Sequence, residues 1–472
     1  MTMDWNVFAI GLLPEHFLLG GVLLLILNSI ASRDGRGRGA AFIAVVAVGG
    51  AALAALWLGV TGFTGAPFPN QLAVTPSASF GKAVALAFAL PVLLLARDDL
   101  GDGGPLYPLL VSALYGLVLM LSSESFLTLF LGLELMSMPV YTLVLIGLKR
   151  DASPEAALKY LVLGSAATAT LLMGVSLIYG YGGTLELSGY ARAMAAHDVM
   201  ATTGTVLVLV AFFVKAAIVP FHAWAPDAYE GASVPITAFM AAIVKAGVLL
   251  AALRLFDTSA PSAAIVGLLV LLPLASIVWG NLAAMRQPNL RRMIAYSSIA
   301  HAGYLFLAFL GAGAGRFEAV LFYLLAYGLM TLLAFAILPS QSTLGHDGRR
   351  DELEQLKGLF HRQPYAALAI GLAMLSLAGI PPLPGFVAKF LIFREVMAAG
   401  HTLVAVLGLV GSYLGIYFYL RVIQAMFMST AAQPEPASGE LPQRTAALLA
   451  SLLCLLPAIV VAVWPGWVLR AF

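Results

Sequence analysis

Apolar runs of roughly 20 residues, the length that crosses a bilayer as a helix, follow one another along almost the whole chain. They predict spans near 14–31, 39–62, 80–97, 105–122, 125–148, 154–181, 200–222, 233–255, 262–285, 295–313, 317–340, 364–399 (broken), 403–428 and 443–467, about 14 in all. No series of short alternating strands suggests a barrel, and a helix satisfies its backbone polar groups within one segment in lipid. The pattern therefore predicts an all-α polytopic membrane protein. The two long polar connections, 341–363 and 429–443, are too short for a second domain. The first apolar run follows the acidic segment Met1–Glu15, which has no Arg or Lys, so it reads as a retained span rather than a cleavable signal.

Composition sharpens this picture. Hydrophobic residues make up 61% of the 472 and charged residues only 10%, with a mean hydropathy of +0.96. Soluble domains are about 25% charged. A soluble enzyme, a disordered protein and a nucleic-acid binder are excluded. One cysteine, Cys454, cannot build an internal disulfide, a Cys-ligated iron–sulfur cluster or a multi-Cys zinc site, and it reads as apolar filler. The seven histidines are scattered with no HExxH, no GxxxxGK[ST] occurs, and GRGRG at 35–39 lacks a strand–helix context. No nucleotide, metal or redox cofactor is expected in this chain.

The net charge of +2 matters less than where the charges lie. Alternate loops place 14 basic residues on one side: Arg33, Arg36, Arg38, Arg97, Lys149, Arg150, Arg286, Arg291, Arg292, Arg349, Arg350, Lys357, Arg362 and Arg444. The other side carries 6: Lys82, Arg192, Arg254, Arg316, Arg394 and Arg470. The first side is predicted cytoplasmic, and an even number of spans then puts both termini outside. The remaining five of the 25 basic residues, Lys159, Lys215, Lys245, Lys389 and Arg421, are assigned to no loop and lie within predicted spans.

A charge at a helix centre costs roughly 3 kcal/mol. Lys215 lies 15 residues into its run and Lys245 12, both deep for snorkelling. Glu134 in FLGLELMSMP lies 9 residues into its own, and Lys389 follows a Pro-rich break. Two readings are open: ion pairs that lock helices, or protonatable stations on an ion path. Lysine suits a station because burial favours its neutral form while a nearby carboxylate favours the charged one, and arginine does not deprotonate. Lys159 in ASPEAALKY is near a helix start, where snorkelling and a relay role are both open. Arg421, among Tyr417, Tyr419 and Gln424, reads as a cation–π or carbonyl-paired structural residue.

Two segments join a station to prolines. In VKAAIVPFHAWAPDAYEGASVP, Lys215 precedes Pro220 by five residues; in SLAGIPPLPGFVAKF, Ser376 precedes Pro381 by the same five, with Lys389 beyond Pro384 and Gly385. Proline frees backbone groups, which a membrane tolerates only inside protein or along a wet cavity. Interrupted helices in two halves point to an inverted-repeat transport fold; two unrelated kinks are the plainer alternative. His222 reads either as an interfacial histidine or as a relay member. His301 in AYSSIAHAGY has Ser297, Ser298 and Tyr304 within helical reach and reads as a relay. Asp227 and Glu230 in PDAYEG are the one hint of a headgroup-level enzyme acting on lipid-linked substrates.

The stretches SFLTLFLGLELMSMPVYTLV, EAALKYLVLGS, FFVKAAIVPFHAWAPDAYEGASVPITAFM, LRRMIAYSSIAHAGY and GIPPLPGFVAKF resemble the antiporter-like membrane subunits of respiratory complex I, the proton-pumping NADH:quinone oxidoreductase. The resemblance extends to subunits of multisubunit cation/proton antiporters, which stand as the alternative reading. It implies 14 transmembrane helices with two inverted five-helix repeats and broken helices 7 and 12. Residues 1–104 would form helices 1–3, 105–255 the first repeat, 262–428 the second and 443–467 helix 14. It implies that Glu134 pairs with Lys215 on broken helix 7, that Lys245 is the central station and that Lys389 on broken helix 12 is the terminal one. Lys159 would be an additional helix-6 lysine, and His222 and His301 secondary relay groups. Lys at 389 and a chain ending at Phe472 without a long lateral helix narrow the resemblance to one branch of the family. Implied partners are the neighbouring membrane subunits and the lipid bilayer of a bacterial inner membrane. NADH and quinone would bind to other subunits, with no redox cofactor here.

Overall fold

The computed structural model describes residues 5–32, 39–101, 104–146, 152–196, 198–256, 262–338, 352–428, 445–466 and 469. The basic loop residues Arg33, Arg36, Arg38, Lys149, Arg150, Arg349, Arg350, Arg444 and Arg470, and Phe472, lie outside them. The chain opens with α1 (Trp5–Gly11), α2 (Leu13–Ala31) and α3 (Ala40–Val60), then a two-stranded antiparallel hairpin, β1 (Gly65–Phe68) and β2 (Leu72–Val74). It continues through α4 (Pro76–Leu100), α5 (Leu106–Ser122), α6 (Phe126–Ile146), α7 (Ala152–Gly182), α8 (Ser188–Ala195), α9 (Val199–Lys215) and α10 (Trp224–Gly231). Next, α11 (Val234–Ala238) runs through a π-helical turn, Phe239–Val244, into α12 (Lys245–Leu255). The rest comprises α13 (Ala263–Ala284), α14 (Leu290–Leu307), α15 (Gly313–Ala336), α16 (Leu359–Arg362), α17 (Pro364–Ala378), α18 (Pro384–Ala398), α19 (Thr402–Met428) and α20 (Thr445–Val463).

Among the described residues, 11 helical segments are long and apolar enough to cross a membrane, and three shorter apolar helices occupy 106–122, 199–215 and 364–378. Their packing makes two tiers. The stretch 234–255 is buried along its whole length and 290–310 and 313–336 nearly so, whereas α2, α13 and α20 turn most of their surface outward. That outer surface is apolar, with Leu24, Phe42, Leu53, Leu271 and Leu403 exposed, as expected of a face that meets lipid. Without a strong hydrophobic drive in lipid, helices associate through close packing. Gly174 of α7 and Gly204 of α9 provide it: a Cβ on the first would lie 2.8 Å from the carbonyl oxygen of the second.

Both proline breaks are present. α9 stops at Lys215, Ala217 takes a positive φ of 61°, and helix resumes at Trp224. α17 stops at Ala378, Gly379 takes a φ of 87°, and α18 starts at Pro384. There Gly385 passes so close to α17 that a Cβ would lie 1.8 Å from the Ser376 oxygen. The peptide bonds before Pro220 and Pro382 are cis.

Three charges read above as loop charges belong inside. Lys82, Arg291 and Arg316 are 0%, 0% and 2% exposed. Each has a local partner that hydropathy windows cannot reveal: Glu15 for Lys82, the Ala232 carbonyl for Arg291, and the Gly311 and Phe256 carbonyls for Arg316. The hairpin and the short helices α1, α8 and α10 were also not anticipated, being shorter than a span.

Candidate functional site

The ions inside the bundle begin on α6. Glu134, Ser137 and Tyr141 are spaced i, i+3, i+7 and share one helix face. Lys215, the last residue of α9 before the break, reaches that face. Its Nζ lies 3.4 Å from Glu134 Oε1 and donates to Ser137 Oγ at 3.2 Å and Tyr141 OH at 3.2 Å. Thr168 of α7 donates to the same Glu134 oxygen at 2.5 Å. A shallow cleft lined by Leu133, Thr168, Leu171 and Phe212 reaches Lys215. Glu134 Oε1 thus faces two donors on two different helices at once, so the carboxylate keeps a partner if either one moves away.

Lys245 follows directly on the π-helical turn, a distortion that often marks functional positions in helices. It is buried, and its Nζ donates to the Ser298 carbonyl at 2.5 Å and to the Ser298 hydroxyl. Tyr229 of α10 joins that hydroxyl at 3.4 Å, and the Tyr327 ring stands 5.9 Å from the ammonium. The partners of this lysine are a hydroxyl, a carbonyl and a ring face rather than a carboxylate.

One turn along α14 sits His301. Its ring is held between two tyrosines, Nδ1 to Tyr323 OH at 2.7 Å and Nε2 to Tyr419 OH at 3.0 Å. Tyr419 continues to Ser297 Oγ at 2.5 Å. A neutral imidazole donates at one nitrogen and accepts at the other, so the triad can pass a proton by exchanging tautomers. The neighbours within helical reach, Ser298 and Tyr304, do not bond to the ring directly; the bonds come from α15 and α19.

Lys389 lies inside the second broken helix. It donates to the carbonyls of Leu377 at 3.1 Å and Ala378 at 2.9 Å, and to Ser412 Oγ at 2.9 Å. Those two carbonyls end α17, and the break leaves them without helical donors, at the negative end of the helix dipole. The Tyr304 ring stands 5.3 Å from the ammonium, and Asn281 donates to Tyr304 OH at 3.3 Å and to the Gly411 carbonyl at 2.9 Å.

The remaining candidates stand apart. Lys159, with a side chain 45% exposed, bridges Glu155 at 2.6 Å and Asp227 at 2.7 Å. Arg292 pairs with the same Asp227 at 2.7 Å and with Glu230 at 2.9 Å. This network ties α7, α10 and α14 together at one end of the bundle. It also occupies both carboxylates that hinted at a headgroup-level enzyme, with cations rather than an open site. His222 accepts at Nε2 from Trp279 Nε1 at 2.9 Å, beside a tryptophan that faces outward, and makes no bond to Lys215. Arg421 donates to the Met285 carbonyl at 2.7 Å, the carbonyl-paired reading. Among the described residues no three His, Cys, Asp or Glu side chains converge as a metal site would require. Thr168, Ser412 and Tyr323 escaped the sequence reading, and Tyr419 entered it only as a neighbour of Arg421, since a hydroxyl far along the chain carries no local spacing signal.

A polytopic helical bundle with buried lysines at and between two broken helices belongs to the class of membrane proteins built around an internal ionisable file. The comparisons make the class specific. Residues 123–415 match the family described as NADH:quinone oxidoreductase/Mrp antiporter, transmembrane, and the chain belongs to this family. It is 40% identical to NADH-quinone oxidoreductase subunit N of Pelobacter propionicus, over 91% of each chain. It is 39% identical to subunit N of Chloroflexus aggregans, over 88% of this chain and 86% of that one. Its fold superimposes on a chain of respiratory complex I from Thermus thermophilus with a TM-score of 0.82 and 34% identity, covering 97% of this chain and 98% of that one. A chain of the Mrp complex from Dietzia sp. is 22% identical with a TM-score of 0.82, covering 99% of this chain and 96% of that one, a likeness of fold alone.

Proposed function

We propose that this chain is a proton-translocating, non-redox membrane subunit of a bacterial NADH:quinone oxidoreductase. Neighbouring subunits would hold NADH and quinone, and further membrane subunits and the lipid of the inner membrane would surround this one. The two halves, 105–255 and 262–428, would act as inverted repeats, each contributing one broken helix, with 1–104 and 443–467 flanking them. Both termini would lie on the outer side.

The observation that carries this reading is the Glu134–Lys215 pair, 3.4 Å apart at a helix break and shared with Thr168. When Glu134 moves away from Lys215 and keeps its Thr168 bond, the buried Lys215 ammonium loses its counter-charge and gives up its proton. When Glu134 returns, Lys215 reloads. Lys245, the His301–Tyr419–Ser297 hydroxyl chain and Lys389 then offer successive sites for the released proton. No redox group is needed in this chain; energy from electron transfer elsewhere would move the carboxylate. Lys159 and His222 would tune the file from its edge rather than carry protons.

The test is the assembled complex in sealed vesicles. Glu134→Ala and Lys215→Ala are expected to cut quinone-coupled proton pumping about tenfold or more, as loss of a proton-transfer group does. NADH oxidation with an artificial electron acceptor should persist and the complex should still assemble. Normal pumping in either variant would refute the roles assigned. The antiporter alternative shares the family match and a likeness of fold but none of the relatives named above at more than 30% identity, and co-purification with antiporter subunits instead of NADH-oxidising ones would favour it.

A further inference from the structure

A second buried carboxylate–lysine pair lies outside the ionisable file, in the N-terminal helices. Glu15 opens α2 and Lys82 lies near the start of α4, 3% and 0% exposed. Lys82 Nζ donates to Glu15 Oε1 at 2.6 Å, and Ser122 at the end of α5 donates to the same oxygen at 3.4 Å. The other carboxylate oxygen, Glu15 Oε2, is buried with no partner among the described residues. The hydroxyl of Ser79, one turn before Lys82 on α4, is likewise buried and unpartnered. A pair kept only to lock helices gains from having every lone pair satisfied, and an apolar pair of similar volume would hold the helices as well. This pair is half-satisfied, and it repeats the chemistry of Glu134, Lys215 and Ser137.

We propose that Glu15, Lys82 and Ser122 form a further proton-exchange site, which takes a proton from the aqueous phase at the hairpin end of the bundle and, by the charge it then bears, drives a proton from Lys245. The inference rests on the proton-translocating reading above. In the resting state one proton sits on Lys82 and the pair is neutral overall. In the loaded state Glu15 Oε2 carries a second proton and the pair bears one positive charge; release restores the first state. The exit is short. Glu15 and Lys82 lie near the helix starts, under α1 and the hairpin, where Gly11 packs against Val74 and Pro67. Beside them, Arg254 holds Glu124 at 2.6 Å, and that glutamate is 40% exposed. The site also senses the file. Gly81 packs on Leu250 of α12, five residues from Lys245 or about 8 Å along the helix axis, so an added charge at the pair repels a proton on Lys245 through a low-dielectric interior.

Glu15→Gln removes the proton acceptor while keeping the shape of the side chain, and Glu15→Leu removes its polar atoms altogether. In the complete oxidoreductase reconstituted into vesicles, each is expected to lower proton uptake per NADH oxidised by about twofold or more. The double variant Glu15→Leu with Lys82→Leu removes the charges and should show the same loss even if either single variant assembles poorly. Full proton uptake in Glu15→Gln, or in the assembled double variant, would show a structural lock and overturn the proposal. Lys215→Ala in the same assay separates the two levels. If it too pumps normally, the proton-translocating reading itself fails; if it stops pumping while Glu15→Gln does not, only this inference fails.

Discussion

The two broken helices solve the same problem in opposite ways. At the first, the lysine sits before the break and is balanced by a carboxylate on another helix, Glu134, which Thr168 also holds. At the second, the lysine sits after the break and is balanced by the freed carbonyls of Leu377 and Ala378 together with Ser412. Carbonyls at a helix end are fixed in place by the backbone; a glutamate side chain has rotamers. The first break therefore has a movable counter-charge and the second a stationary one. In the proposed mechanism the switching step would then fall to Glu134–Lys215, with Lys389 a fixed station at the far end of the file.

The largest expected effect follows from removing the movable charge alone. Glu134→Gln keeps shape and hydrogen bonding, and we expect coupled pumping to fall about tenfold or more, measured as vesicle acidification during NADH oxidation. Pumping close to normal would erase the contrast between the two breaks. Ser412→Ala removes one of three fixed acceptors at Lys389. Because the two carbonyls remain, the loss should be no more than about threefold, about the size of one hydrogen bond. A loss as deep as that of Glu134→Gln would make the second break as switchable as the first. The smallest effect belongs to the half-exposed network around Asp227. Asp227→Asn should lower stability by less than about 1 kcal/mol, read as a small shift in thermal unfolding, with pumping unchanged.

The fold and the file were legible to different degrees. Apolar runs reported the spans, because a bilayer imposes one length on every crossing helix. Prolines reported both breaks, and the depth of Glu134, Lys215, Lys245 and Lys389 marked them as costly. What the chain did not disclose is partnership. Lys82 near a helix start looks like a loop charge until Glu15, 67 residues away, is brought against it. Lys159, left open between snorkelling and a relay, lies half-exposed in an ion network, since sequence depth does not say which way a helix face turns. His301 was placed with the hydroxyls of its own helix, whereas Tyr323 and Tyr419 come from helices whose packing no local spacing encodes.

The most direct measurement concerns whether Lys215 must lose its charge. Lys215→Arg retains a cation opposite Glu134 but one that stays protonated. Proton pumping per NADH oxidised by the assembled complex should collapse in this variant to the level of Lys215→Ala. Pumping at the unmodified level would mean that a permanent ion pair suffices there, and the switching role of Glu134 and Lys215 would have to be abandoned.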